Sequence, residues 1–210
     1  MSRAAESVGS SVVDTLWLAT LQRIVGRVSH EVKGALNGVS VNLEVVRSRS
    51  AKSDTLASAV SSFANAAVDQ LDGLITMTEA LLSVSREIRE PVELGLLFRR
   101  IGALLAPASR VDGCEISFDA SMADVGETSA NGAAVRLTVA SVLLAAIEQS
   151  HAVRCVAGLV DDGGVVTVRI DGGHDAANGV SVDAEIVTAA ADAGIVIMAE
   201  SSAILISFPR

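Results

Sequence analysis

From Leu21 onward, apolar residues recur in alternating steps of four and three: Leu21, Val25, Val28, Val32, Ala35, Val39, then Asn42 and Val46. That spacing is the seam of a helix packed along another helix. It predicts a long helix that begins near Ser10 or Ser11, either of which can cap, and that fades in the polar run SRSAKSD. A second series runs Leu56, Val60, Phe63, Ala67, Gln70, Leu74, Met77, Leu81, Val84, Ile88, until Pro91 stops it. Together the two series predict a helical hairpin. Further apolar residues stand beside the seams, Ile24, Leu36 and Leu43 on the first helix and Leu71, Ile75 and Leu82 on the second. The stripe is wider than one partner helix covers. Two hairpins bury it as a four-helix bundle, so a homodimer is expected; packing of the hairpin on the rest of its own chain is the alternative.

Beyond Pro91 the period changes. A helix is expected at about 92–106, a strand at CEISFDA, a helix at about 131–150, strands near 153–160 and 164–171, a helix at about 182–193, and strands at GIVIMAE and AILISFP. Short turns at DDGG and at ESS join strand pairs as hairpins, which favours a mostly antiparallel sheet covered on one face by helices. The fold class is therefore α+β, with a hairpin over residues 1–90 and an α/β sandwich over 91–210.

Composition narrows the function. Half of the 210 residues are apolar, ample for a core. No apolar run approaches the ~20 residues that span a bilayer. The start MSRAAESVGSSVVD lacks the basic and apolar regions of a signal peptide, so a cytoplasmic protein without membrane contact is expected. Cys114 and Cys155 lie in apolar alternating stretches with no CxxC and no nearby histidine, which reads as reduced core thiols and no metal site. Residues 1–110 hold 12 Lys and Arg against 11 Asp and Glu, whereas 111–210 hold 4 against 14. A net charge of −9, concentrated in the C-terminal half, excludes nucleic acid as a partner and repels polyanions.

His30 is the candidate for chemistry. With Val28 and Val32 on the seam, His30 points away from it, and Arg23, Arg27, Lys33, Gly34 and Asn37 share its outward strip. By spacing alone such a histidine is a solvated side chain. Other isolated candidates are weaker: His151 and His174 lack ligand spacing, DGGHD is too short for a phosphate loop, and Trp17 reads as packing.

Residues 29–46, SHEVKGALNGVSVNLEVV, resemble the H-box of the dimerisation and phosphotransfer domain of sensor histidine kinases, usually S-H-E-[LI]-[RK]-[NT]-P-L; His30, Glu31, Lys33 and Leu36 match it. The resemblance implies that His30 is the phosphoacceptor and that Glu31 orients its ring or takes its proton. Arg23, Arg27, Lys33 and Asn37 would then steady the phosphoryl group and dock the partner. The rest of the chain is similar, more weakly, to the kinases' ATP-binding domain: VASVLLAAIEQS looks like its N-box, VRIDGG like its G1 box, and the last 26 residues before Arg210 like its closing helix and strand pair.

Departures from that pattern bear on ATP. Ala145 stands where the family's Mg²⁺-binding asparagine belongs, and Ser141 where an earlier one does; an alanine methyl cannot ligate a hard cation. Only HDAANGVSV separates Gly173 from Asp183, which leaves no room for a glycine-rich lid. Asp171 stands in the place of the adenine-binding aspartate, though a strand-end turn residue explains it as well. Gly34 replaces the Thr or Asn that positions water in kinases that dephosphorylate their partners, and Ala35 replaces the proline. The expectation is a histidine phosphotransferase resembling those that relay phosphoryl groups between response-regulator receiver domains. It would use no ATP and hold no metal of its own, the receiver bringing Mg²⁺. A non-catalytic pseudokinase scaffold and an ATP-dependent kinase with an atypical pocket are the alternatives.

Overall fold

The computed structural model describes residues 2–52, 56–86, 91–111, 113–158, 164–172 and 181–210. Helix α1 (Ser2–Ser50) has 49 residues and helix α2 (Ala57–Ser85) has 29, about 74 and 44 Å long at 1.5 Å per residue. They run antiparallel, since Asn42 donates to Gln70 at 3.3 Å and Arg49 stacks 4.8 Å from the Phe63 ring centre. Both polar members of the predicted seam thus satisfy each other. Gly38 makes room for this pair, because a Cβ there would fall 2.3 Å from the Gln70 amide.

By this register α2 ends near Arg27, and the part of α1 before that point needs another partner. There the buried face rotates: Ile24 is fully buried while Val25 is 38% exposed, reversing the predicted seam. Lower down, Val28, Val39, Ala67, Met77 and Val84 are buried as their spacing predicts. α1 begins at Ser2 and not near Ser10 or Ser11, and residues 2–11 hold no proline to stop it. α2 ends at Ser85, six residues before Pro91, with Arg86 extended. Ile88 lies outside the described residues.

A short strand β1 (Val92–Glu93) leads into α3 (Leu94–Val111). α3 runs five residues past its predicted end, with Pro107 inside it; Ser109 Oγ donates to the Ala106 carbonyl one turn back. β2 (Glu115–Phe118), a 3₁₀ turn (Ala120–Ala123), β3 (Glu127–Thr128), α4 (Gly132–Gln149), β4 (Ala152–Ala157), β5 (Val165–Gly172), α5 (Ala184–Asp192), β6 (Val196–Ala199) and β7 (Ala203–Pro209) follow. Five strands form one sheet in the order β2-β4-β5-β7-β6, antiparallel except for the β2–β4 pair. β1 and β3 make a separate antiparallel pair that the hydrophobic pattern does not announce.

β5 shows the two-sided logic of the sheet: Val166, Val168 and Ile170 are buried, while Thr167, Arg169 and Asp171 lie on the open face. α4 runs through the core with 14 of its residues buried. Among the described residues it is the one helix long and apolar enough to cross a membrane, and 78% of it is buried inside the protein. Cys114 and Cys155 are buried thiols outside any disulfide, and burial pushes the Cys155 thiol up to about 12.

Candidate functional site

His30 is exposed on α1, on the strip its spacing predicts, and Lys33, Gly34 and Asn37 beside it are exposed as well. Glu31 is half-buried, turned about 100° around the helix from His30. At Gly34 a Cβ would meet nothing within 4 Å, so the water-positioning place of the resembling kinases is open space.

Arg23 and Arg27 share the His30 face but point to the C-terminal half. The Glu148 carboxylate, at the end of α4, lies 2.6 Å from the Arg23 guanidinium and 3.8 Å from Arg27 Nε. Two further contacts join the same helices: Thr20 Oγ1 and Ser141 Oγ are 3.1 Å apart and buried, and the Arg136 guanidinium stacks 4.2 Å from the Trp17 ring centre. Ordered along the chain, Trp17, Thr20 and Arg23–Arg27 meet Arg136, Ser141 and Glu148, so α4 lies alongside α1 in the same direction.

Arg136 also donates to the carbonyls of Val84 and Arg86, at 3.2 and 2.9 Å, and so closes the C-terminus of α2. Burial lowers its pKa, opposed by Asp14. Its Nε is buried without a partner. One guanidinium therefore ties three helices together, and Trp17 has the packing role its position suggests.

The α4 face that carries Ser141 and Ala145, where the family resemblance places the asparagines of a nucleotide site, is turned to α1. Ser141 is buried there and Ala145 is half-buried against the core. Asp171 lies on the open face of the sheet, 2.6 Å from Arg169 Nε, and Arg169 also reaches Glu200 at 3.1 Å. That is the side away from buried Ile170. Residues 173–180, with His174 and most of the segment read as too short for a lid, lie outside the described residues. His151 is exposed. Among the described residues no cluster of three or more His, Cys, Asp or Glu could hold a metal ion.

The pattern of the sequence does not single out Glu148 or Arg136. Each left a trace: Arg136 is a lone charge in the apolar run GAAVRLTVASVLLAAI, and Glu148 is the first charge after it.

No family model and no curated protein matches the chain. Among solved structures, the chain is similar to the Acinetobacter baumannii histidine kinase AdeS, at 10% identity and a TM-score of 0.44 over 86% of this chain and 97% of that one. The histidine kinase ThkA, solved in complex with the response regulator protein TrrA, gives 14% identity and a TM-score of 0.43 over 91% of this chain and 61% of ThkA. A bacterial phosphotransferase gives 15% identity and a TM-score of 0.37 over 89% of this chain and 94% of that one.

Proposed function

We propose that the protein is a histidine phosphotransferase of a two-component phosphorelay that carries the phosphoryl group on His30 and uses no ATP. The observation that carries this reading is the placement of an H-box-like sequence so that His30 is exposed on a long helix, with Lys33 exposed and Arg27 on the same strip. An imidazole nitrogen of His30 attacks the phosphorus of a receiver's phosphoaspartate. The N–P bond forms as the O–P bond breaks, and the aspartate leaves as a carboxylate. The reverse reaction delivers the group to a second receiver. Glu31 orients the ring or takes its remaining proton. Mg²⁺ belongs to the receiver.

Support for nucleotide independence comes from α4. Its Ser141 is occupied by Thr20, and Ala145 has no oxygen for a cation. The dimer is supported by a line of apolar residues that a single chain leaves uncovered: Leu18, Leu36, Leu43, Val68, Leu71, Ile75 and Leu82, each between 42% and 56% exposed. Leu18, Leu36 and Leu43 fall within about 20° of one another around α1. A second hairpin buries them as a four-helix bundle. Ile24, expected in the same stripe, is instead buried in the chain's own core.

The test is to incubate wild type and His30→Ala with a panel of receiver domains carrying labelled phosphate, and separately with labelled ATP. Wild type takes label from a receiver and none from ATP. The variant takes none while keeping its circular dichroism, since an exposed side chain contributes little to the fold. Label on the variant at the wild-type rate refutes the assignment of His30.

A further inference from the structure

Glu148 belongs to neither the seam nor the core, yet it reaches the face of α1 that carries His30. Its two oxygens divide between Arg23 and Arg27, at 2.6 and 3.8 Å. Arg27 precedes His30 by three residues and Arg23 by seven, about 4.5 and 10.5 Å along the helix axis. A carboxylate therefore stands within two turns of His30, on the cations that an acidic partner surface would use.

The carboxylate has a firm mount. Its helix is tied to α1 by the Thr20–Ser141 and Trp17–Arg136 contacts, and the next residue, Gln149, exchanges two hydrogen bonds with the Ser181 backbone, at 3.0 and 3.1 Å. These contacts hold α4 in place without help from Glu148. The ion pair itself is open to water, with side-chain exposures of 57% for Arg23, 27% for Arg27 and 31% for Glu148. Pairs so exposed are weak and exchange partners readily. A group that contributes little to stability, but that sets the charge beside the reacting residue, acts on encounter.

We infer that Glu148 is an internal stand-in for the partner's acidic surface: it holds Arg23 and Arg27 against the C-terminal half beside the His30 face and is the charge an incoming phosphorylated domain has to outcompete. Glu148 is thus a specificity-determining residue supplied by the C-terminal half, which admits partners acidic enough to draw the arginines away. The inference rests on the reading of His30 as phosphoacceptor.

Its test is the rate of label transfer to His30 from receiver domains phosphorylated with labelled acetyl phosphate, measured against receiver concentration at low and high salt. Glu148→Gln keeps the shape and removes the charge. We expect it to lower KM about three- to tenfold at low salt, with kcat unchanged and a steeper loss of rate as salt rises. Glu148→Asp, which keeps the charge, returns KM and the salt dependence toward wild type. A purely structural role predicts the opposite pattern: lower melting temperatures in both variants and no fall in KM. If wild type and Glu148→Gln accept label with the same KM and salt dependence, the inference is overturned while the phosphoacceptor reading stands. If wild type accepts no label from any receiver, that reading fails and takes the inference with it.

Discussion

Replacing Arg136 by Met removes a side chain of α4 that touches both α1 and α2 while keeping most of its volume. The guanidinium makes two hydrogen bonds to the Val84 and Arg86 carbonyls and stacks on Trp17. A hydrogen bond from a charged donor is worth about 1.5–3 kcal/mol, and a partly buried cation–π contact about 1 kcal/mol. Against that stands the cost of burying a charged group whose Nε has no partner, about 2 kcal/mol. The net loss for Arg136→Met is about 3 kcal/mol, which for a chain of this size lowers the melting temperature by roughly 6–12 °C. Denaturant titration followed by circular dichroism, at one fixed protein concentration because any self-association would shift apparent stability, measures it. Trp17 is the only tryptophan, so its fluorescence reports locally and should shift in the folded variant. A double-mutant cycle with Trp17→Leu should return a coupling of about 1 kcal/mol. A loss below about 1 kcal/mol with unchanged Trp17 emission refutes the account of Arg136 as the tie between the hairpin and the α/β layer.

Leu36→Asp or Ile75→Asp should convert a dimer to a folded monomer at micromolar concentration, because both side chains are more than half exposed within one chain; light scattering decides, and a monomeric wild type ends the idea. Leu74→Asp, by contrast, puts a charge into the hairpin's own seam, where Leu74 packs against the core, and should destabilise the fold by several kcal/mol. Calorimetry with millimolar Mg-ATP should detect no binding, and a micromolar dissociation constant promotes the kinase alternative. Gly34→Asn places an amide in open space beside His30; inorganic phosphate release from a labelled receiver should rise above the receiver's own rate, and no rise refutes the idea that a polar side chain at position 34 suffices to activate water.

Much of the candidate site was legible because its residues are neighbours on one helix. A period of 3.6 residues places His30, Lys33, Gly34 and Asn37 on a common outward strip whatever else the chain does. The seam positions Val28, Val39, Ala67, Met77 and Val84, the sheet strands and the turn at Glu200 likewise follow from local patterns. The pattern failed at Val25 and Ile24, where α1 outruns α2 and changes partner, and at Pro107, where tertiary contacts carry a helix through a residue that disfavours it.

What the sequence by itself determined is the helices, the strands of the five-stranded sheet, the outward face of His30 and the excess of apolar surface on the hairpin, all consequences of spacing within 30 residues or so. What only the tertiary structure decided is which distant residues share that face. Arg23 and Glu148 are 125 positions apart, and Thr20 and Ser141 are 121 apart. No periodicity links such pairs, because their distance is set by how the α/β layer packs on α1, as where Arg136 stacks on Trp17. The two arginines read from the sequence as a basic docking strip are, in the folded chain, already answered by a carboxylate from its acidic half.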